Sequence, residues 1–87
     1  MSTIYKFLNS ELSLSTTEGN TVYDSGLVRL VNPIDQASVV TQQYANGATK
    51  AIFTMVQQSD LIMIKAIDDM VIANNTAVTA VPVAYRN

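Results

Sequence analysis

Clusters of turn-forming residues divide the chain into runs of strand length. Glu18-Gly19-Asn20, Asp24-Ser25-Gly26, Asn32-Pro33, Asn46-Gly47, Ser59-Asp60, Asp68-Asp69 and Asn74-Asn75 recur about every 6–14 residues, as expected for short strands joined by turns. The runs between them are rich in β-branched side chains, with ten Val, seven Ile and nine Thr, types that suit a pleated, half-buried surface. The pattern predicts strands near 3–8, 11–16, 21–24, 27–31, 37–43, 49–56, 61–66, 70–73 and 77–85. That is an all-β chain, a small antiparallel β-sandwich of about seven to nine short strands. From Lys50 to Asn74 the apolar positions also fit a helical face, but Ser59-Asp60 would then fall mid-helix among β-branched isoleucines, so strands are preferred.

Three local features refine this. Tyr44-Ala45-Asn46-Gly47 reads as a hairpin, with Asn-Gly supplying the two positive-φ positions of a type I′ turn. Pro82 lies within the last run and cannot donate to a ladder, which predicts an edge strand or an unpaired position at residue 82. In that run Thr79, Val81, Val83 and Tyr85 alternate with Val78, Ala80, Pro82 and Ala84, so neither face is polar and something must cover the second.

The 87 residues permit one domain with a thin core, at roughly 60% of the unfolded surface buried. Within it, residues 21–87 form the expected sandwich, and residues 1–16 are either its first strands or an extended N-terminal arm. With no Cys and no His, thiol nucleophiles, disulfides, imidazole or thiolate metal sites and His-based catalysis are excluded. Asp68-Asp69 with Asp60 is the main acidic grouping, but it lacks calcium-loop spacing and reads as a turn. An enzyme would need a pair such as Asp60 and Asp68 in a buried pocket. Ser15-Thr16-Thr17-Glu18 has the form of a capping box, but Gly19-Asn20 follows it, so it reads as a polar connection. No catalytic residue, cofactor or metal is expected.

Charges are few, with five Lys and Arg against seven Asp and Glu, and they are scattered, which argues against a nucleic-acid partner. No run reaches the ~18–20 apolar residues of a membrane span. With 48% hydrophobic residues, the chain has more apolar surface than a thin core covers, and self-association is the expected outlet. The candidate interface residues are Ile4, Tyr5, Phe7, Leu8, Leu12 and Leu14 at the N-terminus, with Val83 and Tyr85 in the last strand.

Residues 27–87 carry an ordered series: an Asn32-Pro33 turn, a hairpin through Asn46-Gly47 into Ile52-Phe53-Thr54-Met55, a polar turn at Gln57-Gln58-Ser59-Asp60, then Leu61-Ile62-Met63-Ile64-Lys65, an Asp-Asp turn, and the close at Val83-Ala84-Tyr85. This series resembles the small β-sandwich virion proteins of tailed bacteriophages, especially those of marine and cyanobacterial hosts. It departs from them at 57–60, where the family pattern has a Gly in the turn, and at Ala66-Ile67, where a Pro is often found. The resemblance implies a head decoration or cement protein with no catalysis. Such a protein is made in the host cytoplasm and sits on the capsid surface as a homo-oligomer, a trimer by preference. Its partner is the major capsid protein, whose subunits it bridges. The competing expectation is a tail- or fibre-associated module that binds a glycan or protein on the host surface; no Trp and four Tyr offer little for a sugar platform, and the reading gains only if Tyr23, Tyr44 and Tyr85 cluster exposed in a cleft.

Overall fold

The computed structural model describes residues 5–85. The described residues form eight strands: β1 (Tyr5–Phe7), β2 (Leu12–Ser13), β3 (Leu27–Asn32), β4 (Ser38–Gln43), β5 (Thr49–Met55), β6 (Ser59–Ile64), β7 (Met70–Ala73) and β8 (Thr79–Tyr85). Every pairing is antiparallel. One sheet runs β1-β8-β3-β6, with β2 beside β1 on β8, and the other runs β5-β4-β7. Alternation sets the inner faces. Val28, Leu30 and Asn32 of β3 are buried, as are Ser38, Val40 and Gln42 of β4, while the residues between them are not. Between the sheets lies a core of Leu14, Val22, Val28, Leu30, Val40, Met55, Val71, Ala73, Val78 and Ala80. The all-β sandwich expected from the turn spacing is the fold observed.

Two expectations are corrected, and a third is resolved between its alternatives. Residues 21–24 are not a strand: Val22, Tyr23 and Asp24 have φ of 54°, 59° and 53°, a left-handed turn. Neighbouring side chains hold it. Asn20 Oδ1 accepts from the Val22 N–H at 2.7 Å, Thr21 Oγ1 from the Asp24 N–H at 3.2 Å, and Ser25 Oγ donates to the Val22 carbonyl at 2.7 Å. Buried Val22 then plugs one end of the core.

The Asn46-Gly47 hairpin forms, but not as a type I′ turn, since only Gly47 takes positive φ, at 90°. Gly47 N–H donates to Tyr44 O at 2.9 Å and Tyr44 N–H to Ala48 O at 2.8 Å, a three-residue loop with its left-handed residue last. The Asn46 side chain acts as a cap, accepting from the Ala48 N–H at 3.0 Å.

The strand holding Pro82 is central, not an edge, and Pro82 meets the other condition named for it. Its carbonyl accepts from the Leu8 N–H at 3.0 Å. The N and C=O of one strand residue point the same way, so its missing N–H faces that same neighbour. There the β1 ladder stops, and pairing resumes only at Leu12↔Ala80. Val81 and Val83, on the outer face of β8, are buried within the chain itself, so that second face needs no partner.

Candidate functional site

The sandwich has two ends and two flanks, and three of these four sides are closed. At one end, alternation turns Asn32 and Ser38 inward. The Asn32 amide donates to Gln36 O (2.9 Å), Val56 O (3.1 Å) and Met55 O (3.3 Å), and its oxygen accepts from Ser38 Oγ at 3.3 Å. One buried amide thus ties the β3–β4 loop to the β5–β6 turn.

The other end is closed by Gln42, Lys65 and Asp69. Asp69 Oδ2 accepts from Lys50 Nζ at 2.8 Å, Gln42 Nε2 at 2.9 Å and the Ala66 N–H at 3.3 Å. The Lys50 hydrogen bond, with those from Gln42 and Ala66, holds the Asp69 carboxyl below its ordinary pKa despite burial, and the same bond raises Lys50. Lys50 also lies 5.2 Å from the Tyr44 ring centroid. Lys65 is buried; it lays its stem over the core end and donates to Ala66 O at 3.1 Å and Ile67 O at 3.4 Å. Burial lowers its pKa, with Asp69, Asp24 and Asp68 opposing. The sequence pattern places Asp69 in a turn. It does close a turn, with its N–H donating to Ala66 O at 3.0 Å, but it also pins the β4–β5 hairpin. All three of these donors converge on one oxygen, so Asp69 fastens β4, β5 and the Ala66 turn together.

The first flank is closed by the chain between β2 and β3. Ser15 O accepts from Ala73 N–H at 3.1 Å, and Asn20 and Val71 exchange both backbone bonds, which covers the outer edge of β7. Gly19 permits this approach: a Cβ there would lie 2.7 Å from Met70 Cβ and 2.6 Å from Gln43 Oε1. The Ser15 stretch is the polar connection expected, its hydroxyl accepting from the N–H groups of Thr17 and Glu18 at 3.1 and 3.0 Å.

The second flank is open. Its margins are β5 and β6, the outer strands of the two sheets, and among the described residues neither has a strand on its outer edge. The inward residues of β5 pass from buried Met55 through half-buried Phe53 to exposed Ala51, so β5 draws away from the core toward the hairpin. Phe53, Leu61 and Met63 line the gap between the sheets, only partly buried. Outside it stand Ile52 (64% exposed), Val56 (65%), Ile64 (81%) and Ile67 (63%). The strands carry just two charges, Lys50 and Asp60, and each is already paired, Asp60 with Arg29 Nη2 at 3.0 Å.

The interface residues named from sequence have mixed fates. Ile4 lies outside the described residues, and the side chains of Tyr5 and Tyr85 do too, although their backbones pair across β1 and β8. Leu14 and Val83 are buried within the chain and present no surface, and Leu12 is half-buried against the core. Phe7 and Leu8 stand exposed, at 61% and 53%. Asp60 and Asp68 are both exposed and lie toward opposite ends of the molecule, since Asp60 pairs with Val31 near one end of β6 and Asp68 follows its other end. Among the described residues, no three acidic side chains gather in a metal-binding group. Tyr23 and Tyr44 are about half exposed, on loops at the end closed by Asp69. Comparison with known proteins finds no matching family model, no similar curated protein and no similar solved structure.

Proposed function

We propose that this chain is a non-catalytic assembly protein that associates with further copies of itself and with a larger protein shell. The observation that carries the reading is the open flank. A core closed on three sides and left ajar on the fourth, between two apolar edge strands, has the chemistry of a surface meant to be covered. Phe7 and Leu8, exposed at the start of the chain, add a second apolar patch beside β8. The charged groups nearest the flank are already paired, so covering it would desolvate no lone ion.

The sequence resemblance to phage head decoration proteins supplies the shell in this reading: a capsid, with the major capsid protein as partner and the virion surface as location. Each copy bridges neighbouring capsid subunits, and weak contacts add because one attachment raises the effective concentration for the next. The test is to add the purified protein to expanded capsid shells lacking it and to look by electron microscopy for ordered added density between subunits. Saturable density supports the reading; shells that stay bare at high protein concentration overturn it.

The exposed Tyr23 and Tyr44, on loops at the same end of the sandwich, favour one other reading, a module that binds a host-surface glycan by stacking sugar on aromatic rings. Glycan-array binding lost in Tyr23→Ala and Tyr44→Ala variants would support it, and an array with no binding removes it.

A further inference from the structure

The β5 edge carries backbone groups with no strand beside them among the described residues. On β4, the Val39 carbonyl accepts from the Asn74 N–H at 3.0 Å, and the Val39 N–H donates to Asn74 Oδ1 at 2.9 Å, so residue 39 turns its backbone groups toward β7. Backbone groups alternate along a strand. Ser38, Val40 and Gln42 therefore bond to Met55, Phe53 and Ala51, their register partners on β5. The residues between, Ile52 and Thr54, point N–H and C=O away from the sandwich. The register shift opposite Gln42/Gln43 puts Lys50 at an irregular position, so the regular part of the free edge is Ile52 to Thr54.

We infer that two copies join antiparallel along β5 about a two-fold axis at Phe53. In this register Ile52 faces Thr54 of the second copy and Thr54 faces its Ile52, which satisfies all four outward N–H groups and carbonyls of each chain. Phe53 meets its own copy at a pair without backbone bonds, the closer of the two kinds, with Cα atoms about 4.5 Å apart. The two half-buried rings then close the gap that each flank leaves open, a favourable aromatic pair across strands. On the same inner face, exposed Ala51 meets the large Met55. No residue from Ala51 to Met55 is charged, Pro or Gly, so the edge has none of the usual guards within it. Lys50, the one charge of β5, is held by Asp69 within its own chain. The dimer turns the three-stranded sheet into a continuous six-stranded one. A two-fold contact gives a dimer and not the trimer that the resemblance implies; a ring of three would need β5 of one copy against β6 of the next.

This inference rests on reading the chain as an assembling protein, and its test separates the two. Because the chain has no Cys, single cysteines report register cleanly. Phe53→Cys should cross-link to a covalent dimer under mild oxidation, the Cα separation falling within disulfide reach, and Ile62→Cys on the β6 edge should not. The double variant Ile52→Lys with Thr54→Lys alters only exposed positions and sets lysine against lysine at both hydrogen-bonded pairs. It should sediment as a monomer with an unchanged circular dichroism spectrum, where the parent sediments as a dimer. A parent that remains monomeric at millimolar concentration overturns the inference. So does an oligomer that cross-links through residue 62, or one that the lysine pair leaves intact. Capsid binding by a monomeric parent would refute the β5 dimer and leave the shell-binding function standing, and a β5 dimer that ignores every shell would do the reverse.

Discussion

At Gln58 the chain passes from β5 to β6 with φ of 50°, in the left-handed region, and its N–H donates to Ile34 O at 3.0 Å. That conformation costs a side-chain-bearing residue roughly 1–2 kcal/mol and costs Gly nothing. The Gln58 side chain is exposed. Gln58→Gly should therefore stabilise the fold by about 0.5–1 kcal/mol after the greater backbone entropy of Gly in the unfolded chain is subtracted, read as a higher urea midpoint with unchanged slope.

Asp69 sets the pH response. Its folded-state pKa is depressed, so its contribution is whole above the unfolded value near about 4 and is lost as pH falls through the lower folded value. For Lys50 the folded value is raised; the same bond then persists to about pH 10 and fails as pH climbs past the folded value. Asp69→Asn should lower stability at neutral pH and flatten the acid side of a melting-temperature profile, whereas a profile with the same acid slope as the parent would show that other carboxylates set it. Nothing in the local sequence distinguishes Asp69 from Asp68. One is buried and the other exposed only because the turn at Ala66–Asp69 aims the second carboxylate at β4 and β5.

Among the elements, those between turn clusters are legible: β3 to β8 lie where the pattern puts them to within a residue or two, with β6 starting two residues early because Ser59 and Asp60, expected in a turn, pair with Asn32 and Val31. The region that also fits a helix is strand, and alternation turns Ile52, Ile62, Ile64 and Ile72 to the outer faces of the sheets. The failure at 21–24 has a specific cause. Thr21-Val22-Tyr23 has high β propensity, but Asn20, Thr21 and Ser25 side chains capture the backbone groups that a ladder would use, and local side-chain bonding outweighed propensity. The N-terminal run could not be assigned because an apolar segment suits its own sheet and a neighbour's equally well; only pairing with β8 settles residues 5–14. Asn32 has the clearest test at this scale. Asn32→Ala removes the amide that joins Gln36, Met55 and Val56 and leaves Ser38 Oγ without its partner. With buried carbonyls unpaired the cost should be about 2–4 kcal/mol, measured by chemical denaturation. Asn32→Asp, which keeps the size but loses the donors, should fare no better, and full retention of stability in both would show the clamp to be dispensable.

For the whole molecule, the radius of gyration of 12.3 Å is what a compact chain of this length should have, roughly 12 Å, so the apolar excess is spent on the surface and not on an extended shape. Part of it stands on the outer faces of the two strands that border the open flank. Exposed Ile52, Val56, Ile64 and Ile67 all lie on β5, β6 or the residues that follow them, a concentration invisible in the sequence because strand order, not periodicity, decides which strands end a sheet. If association through this flank is part of the folded state, stability must depend on protein concentration, since mass action favours whichever state holds the copies together. Each tenfold rise in concentration adds about 1.4 kcal/mol per dimer, or about 0.7 kcal/mol per chain. For a chain of this size that is roughly 3–6 °C in melting temperature. The parent should show that slope by calorimetry between micromolar and millimolar protein, and the variant with lysines at 52 and 54 should melt at one temperature throughout. A parent melting temperature that is flat across the range would mean that the open flank is left uncovered by other copies.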